Sequence, residues 1–228
     1  MRRQRLVDLL LVLAVAFSRS LLISLYLFLS GSKAPNLPSY TVIQFIDGVL
    51  SELTGLILLV ILLMRQGRSL QDLGFRYSWK DIPRTVLLWV VSSLAYSFLY
   101  YPLYYIFVMA HITVTLPANV QFLHYAHQGV NMLFAIPYSI INPFFEELIV
   151  RAYLITEIAY LTGRAWLAVL VSVVFQVSYH LYQGLLPALC YSGLFLVFSL
   201  YYVRSRRIVP IIFAHMIDDV GALFFYRA

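Results

Sequence analysis

The chain has 228 residues, of which 62% are hydrophobic and only 11% charged, with a formal net charge of +6. Because a soluble domain carries about 25% charged residues, this composition excludes a soluble globular protein and indicates a polytopic membrane protein. The basic residues fall in short loops and at the ends of apolar stretches, so they argue for a lipid bilayer and against a nucleic-acid partner. Cys190 is the single cysteine, which excludes an intrachain disulfide.

Seven apolar stretches are each close to or longer than the roughly 20 residues that a helix needs to cross a bilayer. In chain order they are Leu6–Leu29, Val42–Met64, Ile82–Ala110, Val130–Leu154, Ala165–Leu181, Leu185–Val203 and Ile208–Tyr226. The sequence therefore predicts an all-α, polytopic transmembrane helix bundle of about seven spans. Residues 1–110 are the leading transmembrane helices, with a polar loop over residues 65–84.

The basic residues alternate from one side of these spans to the other. They are Arg2, Arg3 and Arg5 before the first span, Arg65, Arg68, Arg76, Lys80 and Arg84 after the second, Arg164 after the fourth, and Arg204, Arg206 and Arg207 after the sixth. The positive-inside rule then predicts a cytoplasmic N-terminus, a cytoplasmic 65–84 loop and an external C-terminus. We expect the protein in the plasma membrane.

Two adjacent carboxylates and an arginine interrupt the apolar fourth span, within Asn142–Arg151. Ionisable side chains at membrane depth are costly, and they are usually paired and functional. Glu147 and Arg151 are four residues apart, so on a helix they share a face and can form an ion pair. Glu146 points about 100° away from Glu147 and has no partner in its own segment. An ion pair that only joins helices is the structural alternative for Glu147 and Arg151.

Two histidines lie in later spans. His180 is near the end of the fifth span, where a lone histidine also suits a satisfied core position. His215 lies in the seventh span, and either Asp218 or Asp219 can share its face and orient the ring. With Glu146, the two histidines could bind zinc and leave a position for water, or could activate water by acid–base catalysis without a metal. Both chemistries hydrolyse amide bonds.

The relative depth of these residues points either to an irregular fourth span or to span limits other than those drawn above. Straight helices would place Glu146 and His180 at depths that differ by more than about 10 Å. Pro143 predicts a break or kink, with a separate helix from Phe144 onward. The ionisable residues of the first two spans, Asp8, Arg19, Asp47 and Glu52, are interpreted as structural.

In order and spacing, the three motifs resemble those of the CPBP family, which contains the type II CAAX prenyl proteases and the bacteriocin-processing (Abi) membrane proteases. Glu146–Arg151 reads E-E-L-I-V-R and matches E-E-x-x-x-R in full. His215–Asp219 matches H-x-x-x-N or H-x-x-x-D. The middle motif departs, because the family favours Phe four residues before its histidine and this chain has Gln176 there. The likeness makes residues 130–226 the protease core.

The resemblance implies an intramembrane endopeptidase with a polar catalytic cavity among the C-terminal spans, acting on a peptide or a membrane protein. It implies that Glu146 is the catalytic base. The other implied site residues are Glu147, Arg151, His180, His215 and Asp219. Whether Glu146, His180 and His215 hold zinc stays open, since metal-dependent and metal-free mechanisms have both been proposed for the family. A proton-coupled transporter and a catalytically silent immunity or scaffold protein on the same fold are the alternatives.

Overall fold

A computed structural model of the chain describes residues 2–30, 42–112 and 131–225, and every regular element in these ranges is helical. The α-helices are α1 (Arg2–Ser30), α2 (Val42–Arg65), α3 (Asp81–Met109), α4 (Met132–Glu146), α5 (Leu154–Thr162), α6 (Ala165–His180), α7 (Leu185–Ser205) and α8 (Val209–Phe225). Short 3₁₀ helices cover Leu70–Leu73 and Leu181–Gln183, and a π-helix covers Glu147–Tyr153. The first residue of the predicted fourth span and the last of the seventh lie outside the described residues.

Six helical segments are long and apolar enough to cross a membrane. They are α1, α2, α3, the continuous segment Met132–Thr162, α6 with the 3₁₀ turn that follows it, and α7. The seventh predicted span contains α8, which has 17 residues. Each predicted span thus contains a helix, and the predicted transmembrane helix bundle is confirmed. The chain is an integral membrane protein.

The fourth span is a continuous helical rod, made of α4, the π-helix and α5. Contrary to the expected break, α4 continues through Pro137 and Pro143 as far as Glu146. The hydrogen-bond pattern changes there to that of a π-helix, and α5 resumes the α pattern at Leu154. Proline is tolerated inside transmembrane helices because neighbouring groups satisfy the backbone carbonyls that it frees.

The middle of this rod is the centre of the bundle. Every residue from 145 to 155 is buried, and the π-helix contacts α1, α2, α6 and α7. A helix that is apolar all round is expected in such a position. Three charged residues, Glu146, Glu147 and Arg151, are therefore held at the core and not at the lipid surface.

Glycines allow α2 to approach α4 closely. A Cβ atom added at Gly48 would lie 2.7 Å from the Tyr138 ring, and one at Gly55 would lie 2.7 Å from the Phe145 ring. The two glycines are seven residues apart, so they lie on one face of α2, and small residues at such an interface permit tight helix packing in membranes. From α1, Phe17 stacks on Phe145 with ring centroids 4.8 Å apart.

Ion pairs join helix ends that the basic-residue alternation places on one side of the membrane. Glu157, fully buried on α5, pairs with Arg5 at 3.3 Å and with Arg68 beyond the end of α2. Asp81, at the start of α3, pairs at 2.6 Å with Arg207 between α7 and α8. The arrangement is that expected of helices that cross the membrane in alternating directions.

Candidate active site

Glu147 is neutralised from two directions. One carboxylate oxygen lies 3.3 Å from the Nε of Arg151, and the other lies 3.0 Å from the Nδ1 of His215. Both Glu147 and Arg151 are fully buried. Arg151 also donates a hydrogen bond to the Ser172 hydroxyl at 2.9 Å, which donates in turn to the main-chain oxygen of Val150. The predicted ion pair is therefore present, and it is part of a network that joins the rod to α6 and α8.

Glu146 has a different kind of partner. Its Oε2 accepts a hydrogen bond of 2.8 Å from the side-chain amide of Gln176, which is fully buried on α6. Among the described residues no arginine or lysine forms an ion pair with Glu146. Two neighbouring buried carboxylates thus differ in chemistry, since one is held by cationic groups and the other by a neutral donor.

His180 is oriented by the backbone of its own helix. Its Nδ1 lies 2.8 Å from the main-chain oxygen of Gln176. A carbonyl oxygen can only accept, so Nδ1 carries a proton and the neutral ring keeps Nε2 as an acceptor. The rings of Tyr191 and Phe195 lie 5.5 and 5.1 Å from the ring of His180 and form an apolar wall beside it.

The ring of His215 faces carboxylates at both nitrogens. Its Nδ1 contacts Glu147, and its Nε2 lies 3.6 Å from Asp219. Asp219 is fixed by a 3.0 Å hydrogen bond from the Asn142 side chain. Of the two aspartates that the sequence left open, Asp219 therefore faces His215, whereas Asp218 accepts a hydrogen bond from Trp89 at 2.8 Å.

The six predicted residues form two chains of contacts that meet at the centre. One chain runs from Arg151 through Glu147 and His215 to Asp219. The other runs from Glu146 through Gln176 to His180. They meet where Glu146, Glu147 and His215 present ligand atoms that all lie within 4.8 Å of one another, a separation that one water molecule can bridge.

Sequence reasoning missed the place of Glu52, which it interpreted as a structural residue outside the site. Glu52 lies on α2 between Gly48 and Gly55, on the face that approaches α4, and only 6% of it is exposed. It interacts electrostatically with Glu146 and Asp219. Its Oε2 is buried, with no hydrogen-bond partner among the described residues. The available signal was the spacing G-x-x-x-E-x-x-G, which puts the acid on the helix face with the small residues.

The residues that the structure brings together are not the predicted zinc ligands, although their ligand atoms lie close enough to hold a metal ion. The predicted ligand set contained Glu146, His180 and His215, whereas the group that the structure brings together contains Glu147 in place of His180. Carboxylate and imidazole are suitable zinc ligands. However, Glu147 already faces Arg151 and His215, and both nitrogens of His215 face carboxylates. A metal bound to Glu147 and to the Nδ1 of His215 would have to displace these ion pairs.

An apolar cavity of about 260 Å³ lies between α2, α4 and the segment after α2. Its lining residues are Leu53, Leu56, Val60, Leu70, Phe75, Ile141, Phe144 and Leu148. All of these residues are apolar, so the acidic residues of the site do not line the cavity. An apolar side chain or chain segment would fit there without leaving polar groups unpaired.

Comparisons with known proteins agree with the residue pattern. No curated protein and no solved structure matches the chain. A family model described as "Type II CAAX prenyl endopeptidase Rce1-like" matches residues 128–221. The matched range contains all six predicted site residues, and it leaves out α1–α3 and therefore Glu52. Residues 128–221 are thus similar to the Rce1-like type II CAAX prenyl endopeptidase family, and this match confirms the resemblance predicted from the three motifs.

Proposed function

We propose that this protein is an intramembrane endopeptidase in which Glu146 activates the water that attacks a peptide bond. The observation that carries the proposal is the unequal pairing of the two buried glutamates. Glu147 is held by Arg151 and His215, whereas Glu146 is held by the neutral amide of Gln176. A carboxylate that is not committed to an ion pair is the one free to take up a proton.

The hydrolysis would proceed through Glu146 as both base and acid. Glu146 accepts one proton from water as the water oxygen bonds to the carbonyl carbon of the substrate. The same proton then passes to the amide nitrogen as the carbon–nitrogen bond breaks, which yields a free amine and a carboxylic acid. The Nε2 of His180, left as an acceptor by the hydrogen bond from Nδ1 to Gln176, is suited to accept a hydrogen bond from the second O–H of the water, whose hydrogen stays on the new carboxylic acid.

His215 is suited to stabilise the negative oxygen that forms in the tetrahedral intermediate. Glu147 fixes its Nδ1, and the 3.6 Å separation of Nε2 from Asp219 is longer than a hydrogen bond. Nε2 is therefore not locked onto Asp219, and in the protonated ring it can donate to a substrate oxygen. Preorganised donors of this kind contribute most in sites that exclude water.

The function is tested by comparing the membrane proteomes of cells that produce the intact protein or its Glu146→Gln variant at equal levels. Fragments that appear only with the intact protein identify substrates. With a purified substrate, Glu146→Gln should lower kcat by roughly 10²–10⁴-fold, as expected for loss of a general base, while the variant accumulates and binds substrate normally. The family match does not favour the transporter or the silent scaffold. Normal turnover by Glu146→Gln would exclude Glu146 as the base and would favour these two alternatives.

A further inference from the structure

We propose that Gln176 is a positioning residue for this hydrolysis, holding the base with its side chain and His180 with its main chain. The inference rests on the proposed function of Glu146. Gln176 occupies the position where the family favours Phe, and a phenyl ring cannot donate a hydrogen bond to a carboxylate. The contact is therefore a feature of this chain and does not follow from the family's motif.

The geometry fixes which way the Gln176 amide points. A carboxylate accepts and does not donate, so the NH₂ group, and not the amide oxygen, must face Glu146 at 2.8 Å. In the same residue the main-chain oxygen accepts from the Nδ1 of His180 at 2.8 Å. One residue of α6 thus sets the orientation of both Glu146 and His180, which come from different helices.

The burial of Gln176 is unfavourable by itself. The residue is fully buried among apolar helices, and its side-chain oxygen has no hydrogen-bond partner among the described residues. A buried polar atom without a partner destabilises the folded state, and an apolar residue of similar size would avoid this cost. The hydrogen bond to Glu146 gives the amide a role at the site that such a residue would lack.

The consequence for the reaction concerns the rotation of the Glu146 carboxylate. The terminal torsion of a glutamate side chain has broad minima, so a donor on one oxygen is needed to hold the other oxygen in a constant direction. Loss of a group that orients a metal ligand typically lowers affinity or activity by roughly 10–100-fold, and we expect a loss of similar size for a group that orients a catalytic base. Because Gln176 is fully buried, its replacement should leave substrate binding unchanged.

The test is a cycle of variants measured with the substrate identified for the intact protein. Gln176→Met keeps an unbranched side chain without a donor, and it should lower kcat by roughly 10–100-fold with KM unchanged, even where loss of the hydrogen bond to a buried carboxylate lowers the thermal unfolding midpoint. Gln183→Met is the matched control. Gln183 is also a buried glutamine, its amide donates to Tyr182 and not to Glu146, and its loss should leave kcat unchanged.

The cycle separates failure of this inference from failure of the proposed function. In a Glu146→Gln background, Gln176→Met should cause a much smaller further loss than it causes alone, because the hydrogen bond from Gln176 to the Glu146 carboxylate is already absent. If Glu146→Gln is inactive but Gln176→Met is fully active, the positioning role is overturned and the proposed function stands. An equal loss of kcat in Gln176→Met and Gln183→Met would also overturn the positioning role alone. Normal turnover by Glu146→Gln would overturn both proposals. If Gln176→Met fails to accumulate, Gln176→Phe, which carries the family's residue, replaces it with the same expected fall in kcat.

Discussion

Glu147 and Arg151 depend on each other because both are fully buried. Arg151→Ala should therefore leave the buried Glu147 carboxylate with one of its two cationic partners missing, at a cost of about 3–5 kcal/mol, and the variant should accumulate poorly and unfold at a lower temperature. The control is Arg84→Ala, because Arg84 is 39% exposed and pairs with an aspartate that Arg207 also holds. A partly exposed pair contributes about 0–1 kcal/mol. Equal accumulation of the two variants would contradict this role for Arg151.

Two buried glutamates should respond in opposite directions when they are neutralised. Glu157 faces Arg5 and Arg68, so Glu157→Gln should lower the thermal midpoint. Glu52 has acidic neighbours and a carboxylate oxygen without a partner among the described residues, so Glu52→Gln should raise it. About 1 kcal/mol corresponds to roughly 2–4 °C for a chain of this size, so thermal unfolding of the purified variants in detergent can resolve the difference. A lower midpoint for Glu52→Gln would show that this acid stabilises the fold.

Metal removal should leave the reaction intact. Glu147 and His215 are engaged in ion pairs, so we expect a metal-free hydrolysis that depends on Glu146. Elemental analysis of gently purified protein, with activity measured before and after chelation, checks this expectation. Loss of activity on chelation and its recovery with added zinc would require the ion pairs at His215 to open in the working enzyme.

For individual residues, the sequence predicted contacts within one helix but not contacts between helices. The Glu147–Arg151 pair follows from a four-residue spacing, which depends only on helical geometry. The contact from Gln176 to Glu146 and the approach of Glu52 depend on how each helix is rotated and at what depth it packs. Small residues and packing neighbours determine these quantities, and a hydropathy pattern does not record them.

The interface between α2 and α4 should be the element contact most sensitive to added volume. Gly55→Ala would place a methyl group against the Phe145 ring and move α2 away from α4, which would also displace Glu52. We expect a lower thermal midpoint and lower activity. Gly221→Ala on α8 is the control, because the nearest atom to its added methyl group is 3.9 Å away. An unchanged Gly55→Ala would show that the two helices are less tightly packed than the structure indicates.

The elements themselves were predictable because crossing a bilayer demands about 20 apolar residues in an unbroken helix. The π-helix was not, since nothing in Glu147–Tyr153 distinguishes it from an α-helix by composition. Pro143 suggested an interruption in the right span, but the change of pattern begins four residues later, at Glu147. π-helical turns are frequent at functional sites, and this one carries Glu147 and Arg151.

For the molecule as a whole, we propose the orientation predicted by the basic residues, with the N-terminus in the cytoplasm. Reporter fusions at Gln71 and Ser205 should then read as cytoplasmic, and one at Lys33, which lies outside the described residues, should read as external. The Glu157–Arg5 and Asp81–Arg207 pairs hold the corresponding helix ends together on one side. An external signal at Gln71 would reverse the orientation, and opposite signals at Gln71 and Ser205 would contradict the seven-span alternation.

The position of the Glu147–Arg151 pair within a single helical segment has a consequence for biogenesis. A ribosome delivers this rod to the insertion machinery before α8 and His215 have been synthesised. Since both partners arrive in the same segment, separated by one turn, their charges can neutralise each other before any later helix is present. Glu146 gains its partner only after Gln176 on the next span has been synthesised. The insertion machinery therefore has to accommodate one unpaired carboxylate, and not three charges, while the nascent chain enters the lipid.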